Sequence, residues 1–163
     1  MILIKDSGYL FFKKKKYKCA IGFAGTKKNK QEGDKATPKG TFKIIKVYYR
    51  KDRIRKLSTP IQKVTIKKNM GWCDDSLNRK YNKIITIPSN ASYERLHRKD
   101  NLYDLIGVIN YNTKKIIKGK GSAIFFHIAK AKYTPTQGCV ALKKDDLLFL
   151  LKNIKKNTKI KIL

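Results

Sequence analysis

The apolar residues of this chain come in short bursts, and lysines or turn residues close each burst before a helix-length pattern can develop. Short runs rich in Ile, Val, Tyr and Phe, bounded by Gly, Pro, Asn, Asp or Ser, read as strands. On that basis residues 1–4, 9–12, 17–24, 40–49, 61–66, 84–87, 104–111, 123–127 and 158–163 are expected to be extended. Turns are expected at Asp6-Ser7-Gly8, Pro38-Lys39-Gly40, Asn78 and Pro88-Ser89-Asn90. Lys13 to Lys16 reads as a hairpin tip carrying solvated charge. Two segments read as helix. One is short, 91–98. The other is 144–152, where Asp145 and Asp146 suit the N-terminal end and Leu147, Leu148, Leu150 and Leu151 make an apolar side. The pattern predicts a mainly β fold with a few helices, a sandwich or barrel with helices packed on it.

The 163 residues are the size of one domain, with no internal repeat and no low-complexity linker, so 1–163 is expected to be a single domain. No apolar stretch approaches the roughly 20 residues of a membrane-spanning helix. Met1-Ile2-Leu3-Ile4 is followed at once by Lys5 and Asp6 and reads as a strand, not as a secretory leader. On that pattern alone, both a cytoplasmic and an exported protein fit.

Forty Lys and Arg against eleven Asp and Glu give a net charge of +29, which favours polyanionic surroundings such as nucleic acid, anionic lipid or acidic wall polymers. The basic residues are mostly lysines scattered along the chain, whereas base readout leans on arginine forks. The pattern therefore weighs against specific nucleic-acid recognition. Three cysteines, Cys19, Cys73 and Cys139, form no CxxC pair and match no zinc spacing. Cys19 sits in an apolar stretch and reads as a small buried hydrophobe. Asp74-Asp75 without a nearby histidine is a weak metal signal, so no metal or cofactor is expected.

Chemistry concentrates near the C-terminus. His127 closes the apolar run Phe125-Phe126, and Cys139 follows Gly138 in Thr136-Gln137-Gly138-Cys139-Val140. A histidine within reach of a thiol can take its proton and leave a thiolate nucleophile. Gly138 permits a sharp turn that aims backbone N–H groups at a developing oxyanion, and Thr136 offers a hydroxyl nearby. His97, the other histidine, lies among Arg95, Arg98 and Lys99 and reads as solvent-facing.

Further elements accompany the pair in order: Thr37-Pro38-Lys39-Gly40-Thr41-Phe42, preceded by Asp34; Gly71-Trp72-Cys73-Asp74-Asp75 with Tyr81-Asn82; Glu94-x-Leu96-x-Arg98-x-Asp100 with Tyr103-Asp104; and Gly121-Ser122-Ala123-Ile124-Phe125. Together with His127 and Thr136-x-Gly138-Cys139-Val140, this set resembles the catalytic domain of the L,D-transpeptidases, the YkuD or ErfK/YbiS family. The resemblance runs from about residue 34 to 151. It implies a β-sandwich and a location in the bacterial envelope. It implies a Cys139 nucleophile with His127 as base, and an oxyanion site near Gly138. The implied reaction forms a thioacyl-enzyme from a peptidoglycan stem peptide and passes the acyl group to an amine.

Candidate substrate contacts are Thr136, Arg98, Trp72, Asp75, Tyr81 and Asn82. The loop around Trp72 equally reads as a packed corner, with Trp72 buried and the aspartates capping a turn. Two positions depart from the family pattern. Ala141 stands where most relatives have an arginine, and Ile128 where many have glycine. Arg98 or Arg79 could supply the missing guanidinium. The alternatives to a transpeptidase are a carboxypeptidase or related amide hydrolase on the same scaffold, and a basic nucleic-acid-binding module.

Overall fold

The computed structural model describes residues 1–163. The N-terminal strands β1 (Ile2–Lys5), β2 (Tyr9–Phe12) and β3 (Lys15–Ala20) form a meander. Lys13 and Lys14, both at positive φ, make the tight turn between β2 and β3. A small parallel pair, β4 (Thr26–Lys27) and β5 (Thr37–Pro38), precedes β6 (Gly40–Phe42), β7 (Ile44–Tyr49) and β8 (Lys63–Thr65). Next come β9 (Met70–Cys73), β10 (Ile84–Thr86) and β11 (Tyr93–Arg95), which form a sheet of their own with β9 in the middle. The chain closes with β12 (Leu105–Ile109), β13 (Phe125–Ile128), β14 (Val140–Leu142), α1 (Lys144–Asn153) and β15 (Ile160–Ile162).

The main sheet has ten strands in the order β6-β15-β1-β2-β3-β14-β13-β12-β7-β8. The fold is thus mainly β with one helix, a curled mixed sheet of sandwich type. Its central strands are buried on both faces, and period-two alternation divides their side chains between two cores. Leu105, Ile109, Phe126, Ile128, Val140 and Leu142 face the larger core, where α1 contributes Leu147, Leu150 and Leu151. Ile106, Val108 and Phe125 face the smaller core, roofed by the three-stranded sheet through Trp72 and Leu96. The same alternation puts His127 on the Phe125 side of β13. The parallel register of β13 and β14 sets His127 beside Ala141. Cys139 ends the turn that enters β14, within this smaller core.

Some local expectations give way to tertiary contacts. Residues 91–98 are not helical. Tyr93–Arg95 forms β11, with Tyr93 paired to Cys73 and Glu94 to Trp72, so an edge of β9 outweighs a weak helical preference. The strand expected over 17–24 stops at Ala20. The chain there passes close under its neighbour, and a Cβ on Gly22 would lie 2.4 Å from the Lys35 carbonyl oxygen. The strand expected over 40–49 divides into β6 and β7, and β9 and β14 form where the sequence pattern predicts no strand. The C-terminal helix runs one residue beyond expectation, to Asn153. No helix is long and apolar enough to cross a membrane.

Candidate active site

Four of the nine expected site residues, His127, Cys139, Thr136 and Arg98, line one open cleft of about 420 Å³, together with Glu94, Tyr103, Lys130, Gln137 and Ala141. Cys139 and His127 are each only 8% exposed, so both reach the cleft through a small aperture.

His127 is held by its backbone neighbour. Nδ1 lies 2.8 Å from the Ile128 carbonyl oxygen. A carbonyl only accepts, so Nδ1 carries the proton and Nε2 is left as the basic nitrogen. Tyr103 packs edge-to-face on the ring at 5.4 Å between centroids. Burial, joined by the charges of Arg98 and Lys130, pulls the imidazole pKa down to about 4 against the opposing pull of the Ile128 carbonyl. At neutral pH this histidine is uncharged.

The thiol is equally constrained. Cys139 Sγ donates to the Ala123 carbonyl oxygen at 3.1 Å and accepts from the Phe125 N–H at 3.3 Å. Its hydrogen-bond partners are thus backbone groups and not His127. Burial pushes its pKa up to about 12, with Glu94 adding to the rise. The resting pair is a neutral thiol beside a neutral imidazole.

The turn that presents the thiol depends on Gly138. Its φ is +136°, and a Cβ there would meet the Ala36 carbonyl oxygen at 2.8 Å. The Asp34-to-Phe42 element is therefore the floor of the turn. Asp34 shapes it by accepting from the N–H groups of Gln31 and Ala36 and from Lys30 Nζ. Thr136 spends its hydroxyl inside the turn, donating to the Cys139 carbonyl at 2.7 Å and accepting from the Gly138 N–H at 3.1 Å. The expectation of Thr136 as a donor to substrate and of a free Gly138 N–H changes accordingly. The Cys139 N–H has no partner within the protein and can serve as a donor to an oxyanion.

Trp72, Asp75, Tyr81 and Asn82 do not line the cleft. The packed-corner reading describes them. Trp72 is buried edge-on against Phe125, with centroids 5.0 Å apart, and its indole N–H donates to Asn82 Oδ1 at 2.9 Å. Asn82, at φ +55°, also accepts from the Ala123 N–H at 3.0 Å and donates to the Asn112 carbonyl at 2.7 Å. Through Ala123 this cluster fixes the carbonyl that holds the thiol. Asp75 caps its own turn by accepting from the Leu77 N–H at 2.9 Å. Tyr81 is buried, with its hydroxyl bonded to Glu32 and to the Gly121 N–H.

Arg98 and Ala141 line the same cleft. The Arg98 guanidinium forks onto Asp100 at 2.9 and 2.6 Å and sits 5.2 Å from the centre of the Tyr103 ring. The buried Arg50 bonds its carbonyl at 2.9 Å. Arg79 is exposed and does not line the cleft.

Two residues with no expected role enter the site. Glu94 Oε2 receives the Tyr103 hydroxyl at 2.5 Å. Burial raises the Glu94 carboxyl pKa, partly countered by the Tyr103 hydrogen bond. Both residues stood in the segment flanking Arg98. A signal was present in the scarcity of acids: with eleven in a chain of net charge +29, each has a raised claim to a specific partner.

The profile of the L,D-transpeptidase catalytic domain, YkuD, matches residues 2–162. Among solved structures, Bdellovibrio bacteriovorus Bd1075 superposes with a TM-score of 0.50 at 18% identity, covering 100% of this chain and 47% of that one. The chain thus spans about half the length of that protein, and at this identity the likeness speaks for the fold alone. No curated protein matches the chain. With a thiol in the turn into β14 and an oriented imidazole on the adjoining parallel strand β13, a fold matched almost end to end places this chain in the family of L,D-transpeptidase (YkuD) catalytic domains.

Proposed function

We propose that this protein is a peptidoglycan L,D-transpeptidase working through a Cys139 thioacyl intermediate. The observation that carries the reading is the joint placement of the Cys139 thiol and the His127 imidazole in one cleft, with Nδ1 pinned and Nε2 left basic. His127 Nε2 takes the thiol proton as Sγ bonds to the carbonyl carbon of the L,D-peptide bond in a stem peptide. With the thiol pKa near 12 and the imidazole near 4, proton transfer accompanies attack and no resting ion pair precedes it. The Cys139 N–H receives the oxyanion. The C–N bond breaks, the imidazolium returns its proton to the leaving amine, and a thioester remains. An acceptor amine then attacks the thioester, expels the thiolate and completes an amide.

Arg98 takes the place of the arginine that position 141 lacks, offering its guanidinium to a substrate carboxylate in the same cleft. The net charge of +29 would hold the protein against anionic envelope polymers, a contact that high salt would weaken. The site of action that fits these assignments is the cell envelope.

Incubation with a tetrapeptide-bearing muropeptide and mass analysis of the products tests the reaction. A cross-linked dimer is the expected product. A shortened monomer alone would replace transfer by hydrolysis, and salt-sensitive DNA or RNA binding that ignores Cys139, without either product, would point to the binding module instead.

A further inference from the structure

The Cys139 thiol lies between two spaces. On one side is the cleft described above. On the other is a small chamber of about 80 Å³ walled by Glu32, Asp74, Ser122 and Ala123, with Lys30 at its edge. Glu94, Gln137 and Cys139 line both.

The two sides differ in charge. The cleft is walled by Arg95, Arg98, Lys130 and the neutral His127. The chamber gathers Glu32, Asp74 and Glu94, three of the eleven acidic residues in the chain. Lys30 does not neutralise them, because its Nζ is paired to Asp34 at 2.7 Å and bonded to the Gln31 carbonyl. Glu32 accepts from the Tyr81 and Ser122 hydroxyls, and Glu94 from Tyr103. Asp74 is different: its Oδ1 is buried and has no hydrogen-bond partner. Leaving a buried carboxylate oxygen unpaired is costly, so this arrangement points to a donor that arrives with a ligand. The field of the whole chain repels cations, so only close carboxylates could hold one here.

We propose that this chamber seats a primary ammonium group and that Glu94 takes its proton as the amine attacks the thioacyl carbon on Cys139. This deepens the transpeptidase reading and rests on it for the attack step. The ammonium gives one proton to the Glu94 carboxylate, leaving a neutral amine and a carboxylic acid. The amine nitrogen bonds to the thioacyl carbon, the C–S bond breaks, and the amine's second proton passes through His127 to Sγ. Glu94 then releases its proton to solvent. His127 is a poor store for the first proton, since burial and two neighbouring cations disfavour its charged form. Glu94 faces Asp74 and Glu32, which oppose its ionisation, and Arg98, which favours it, so its carboxyl is more basic than usual and suits the task.

The test uses the whole chain and n-butylammonium chloride as probe, followed by NMR, with n-butanol as the neutral control. Saturable binding of the ammonium that perturbs resonances of Glu94, Asp74 and Cys139, weakened tenfold or more in Glu94→Gln and absent for butanol, is the expected result. No binding, or equal binding by Glu94→Gln, overturns the proposal. So does unchanged binding by Asp74→Asn, which keeps the volume and removes the charge. Amine transfer is then compared with the acylation rate for each variant. In Glu94→Gln the ratio of transfer to acylation falls tenfold or more at neutral pH and recovers as pH approaches the amine's own pKa. A fall in both rates together would assign Glu94 a structural role only. If the ammonium binds as expected but no enzyme acylates, the transpeptidase reading fails while the ammonium seat stands.

Discussion

Cys139 donates its thiol hydrogen bond to the carbonyl oxygen of Ala123 at 3.1 Å, and Ala123 is itself held at φ +51° by Asn82. The thiol is buried and neutral, and on the proposed mechanism it is drawn into reaction by substrate. Cys139→Ala should therefore reduce acyl transfer by at least about 10⁴-fold while leaving the fold intact. A carbapenem should add to the wild-type protein at Cys139 alone, as read by intact mass and peptide mapping. Labelling at Cys19 or Cys73, with activity surviving in Cys139→Ala, would sink the assignment.

The buried imidazole sets a pH dependence. With the folded pKa of His127 near 4 and an unfolded value near 6.5, the unfolded chain binds a proton that the folded chain refuses between those values. Stability therefore falls as pH drops from about 6.5 to about 4, by about 3 kcal/mol in total from this group. Urea titrations of wild type and His127→Asn should show this slope in the first and its loss in the second. Parallel curves would contradict the assignment. The acid limb of kcat/KM should likewise lie near 4 and not near 6.5.

Asn82 ties three backbone or indole groups together behind the thiol. Asn82→Ala leaves the Trp72 N–H, the Ala123 N–H and the Asn112 carbonyl without this partner and should cost about 3 kcal/mol or more. Chemical denaturation measures the loss. The surviving folded protein should also react more slowly at Cys139, because the Ala123 carbonyl is no longer fixed.

Gly138→Ala meets both a disfavoured φ and the Ala36 carbonyl. The strained backbone alone costs about 1–3 kcal/mol, and the close approach displaces the turn carrying the Cys139 N–H. Loss of kcat should exceed any rise in KM, since the displaced donor acts on the oxyanion. Equal and small changes in both would show that the turn tolerates the side chain.

Arg98→Ala should raise KM for a carboxylate-bearing donor by about tenfold, with a smaller effect on kcat. Arg98→Lys should recover little of it, because an ammonium cannot keep the fork onto Asp100 that holds the guanidinium in place while a further N–H meets substrate. Steady-state kinetics with a donor and its carboxamide analogue decide the point. A carboxamide penalised equally by Arg98→Ala would remove the carboxylate from the argument.

Much of the fold was legible because strand patterning is local. Residues 9–12 and the helix beginning at Lys144 stand where their patterns put them. The segment 91–98 was not legible, since it becomes a strand only by pairing with β9, a partner distant in sequence. At the site, residue type and turn chemistry singled out His127, Cys139 and Gly138 as candidates, and the fold brings His127 and Cys139 to one cleft. Trp72 was readable as part of a packed corner, but Asn82 did not reveal its role. Their contribution lies in hydrogen bonds to Ala123 and packing on Phe125, and both depend on strands that meet only in the folded sheet.

The sequence by itself determined the mainly β class, singled out Cys139 and His127 as the candidate nucleophile and base, and marked the glycine before the cysteine. Each follows from periodicity, residue chemistry or a motif read within a few neighbouring positions. Tertiary structure alone decided which side chains share the thiol's surroundings. Glu94, Tyr103 and Arg98 come from β11 and the loop that follows it, and His127 and Cys139 from β13 and the turn into β14, so their proximity depends on how the smaller sheet roofs the larger. The charge asymmetry around Cys139, basic in the cleft and acidic in the chamber, exists only because that packing gathers a few scarce carboxylates on one side of a buried thiol.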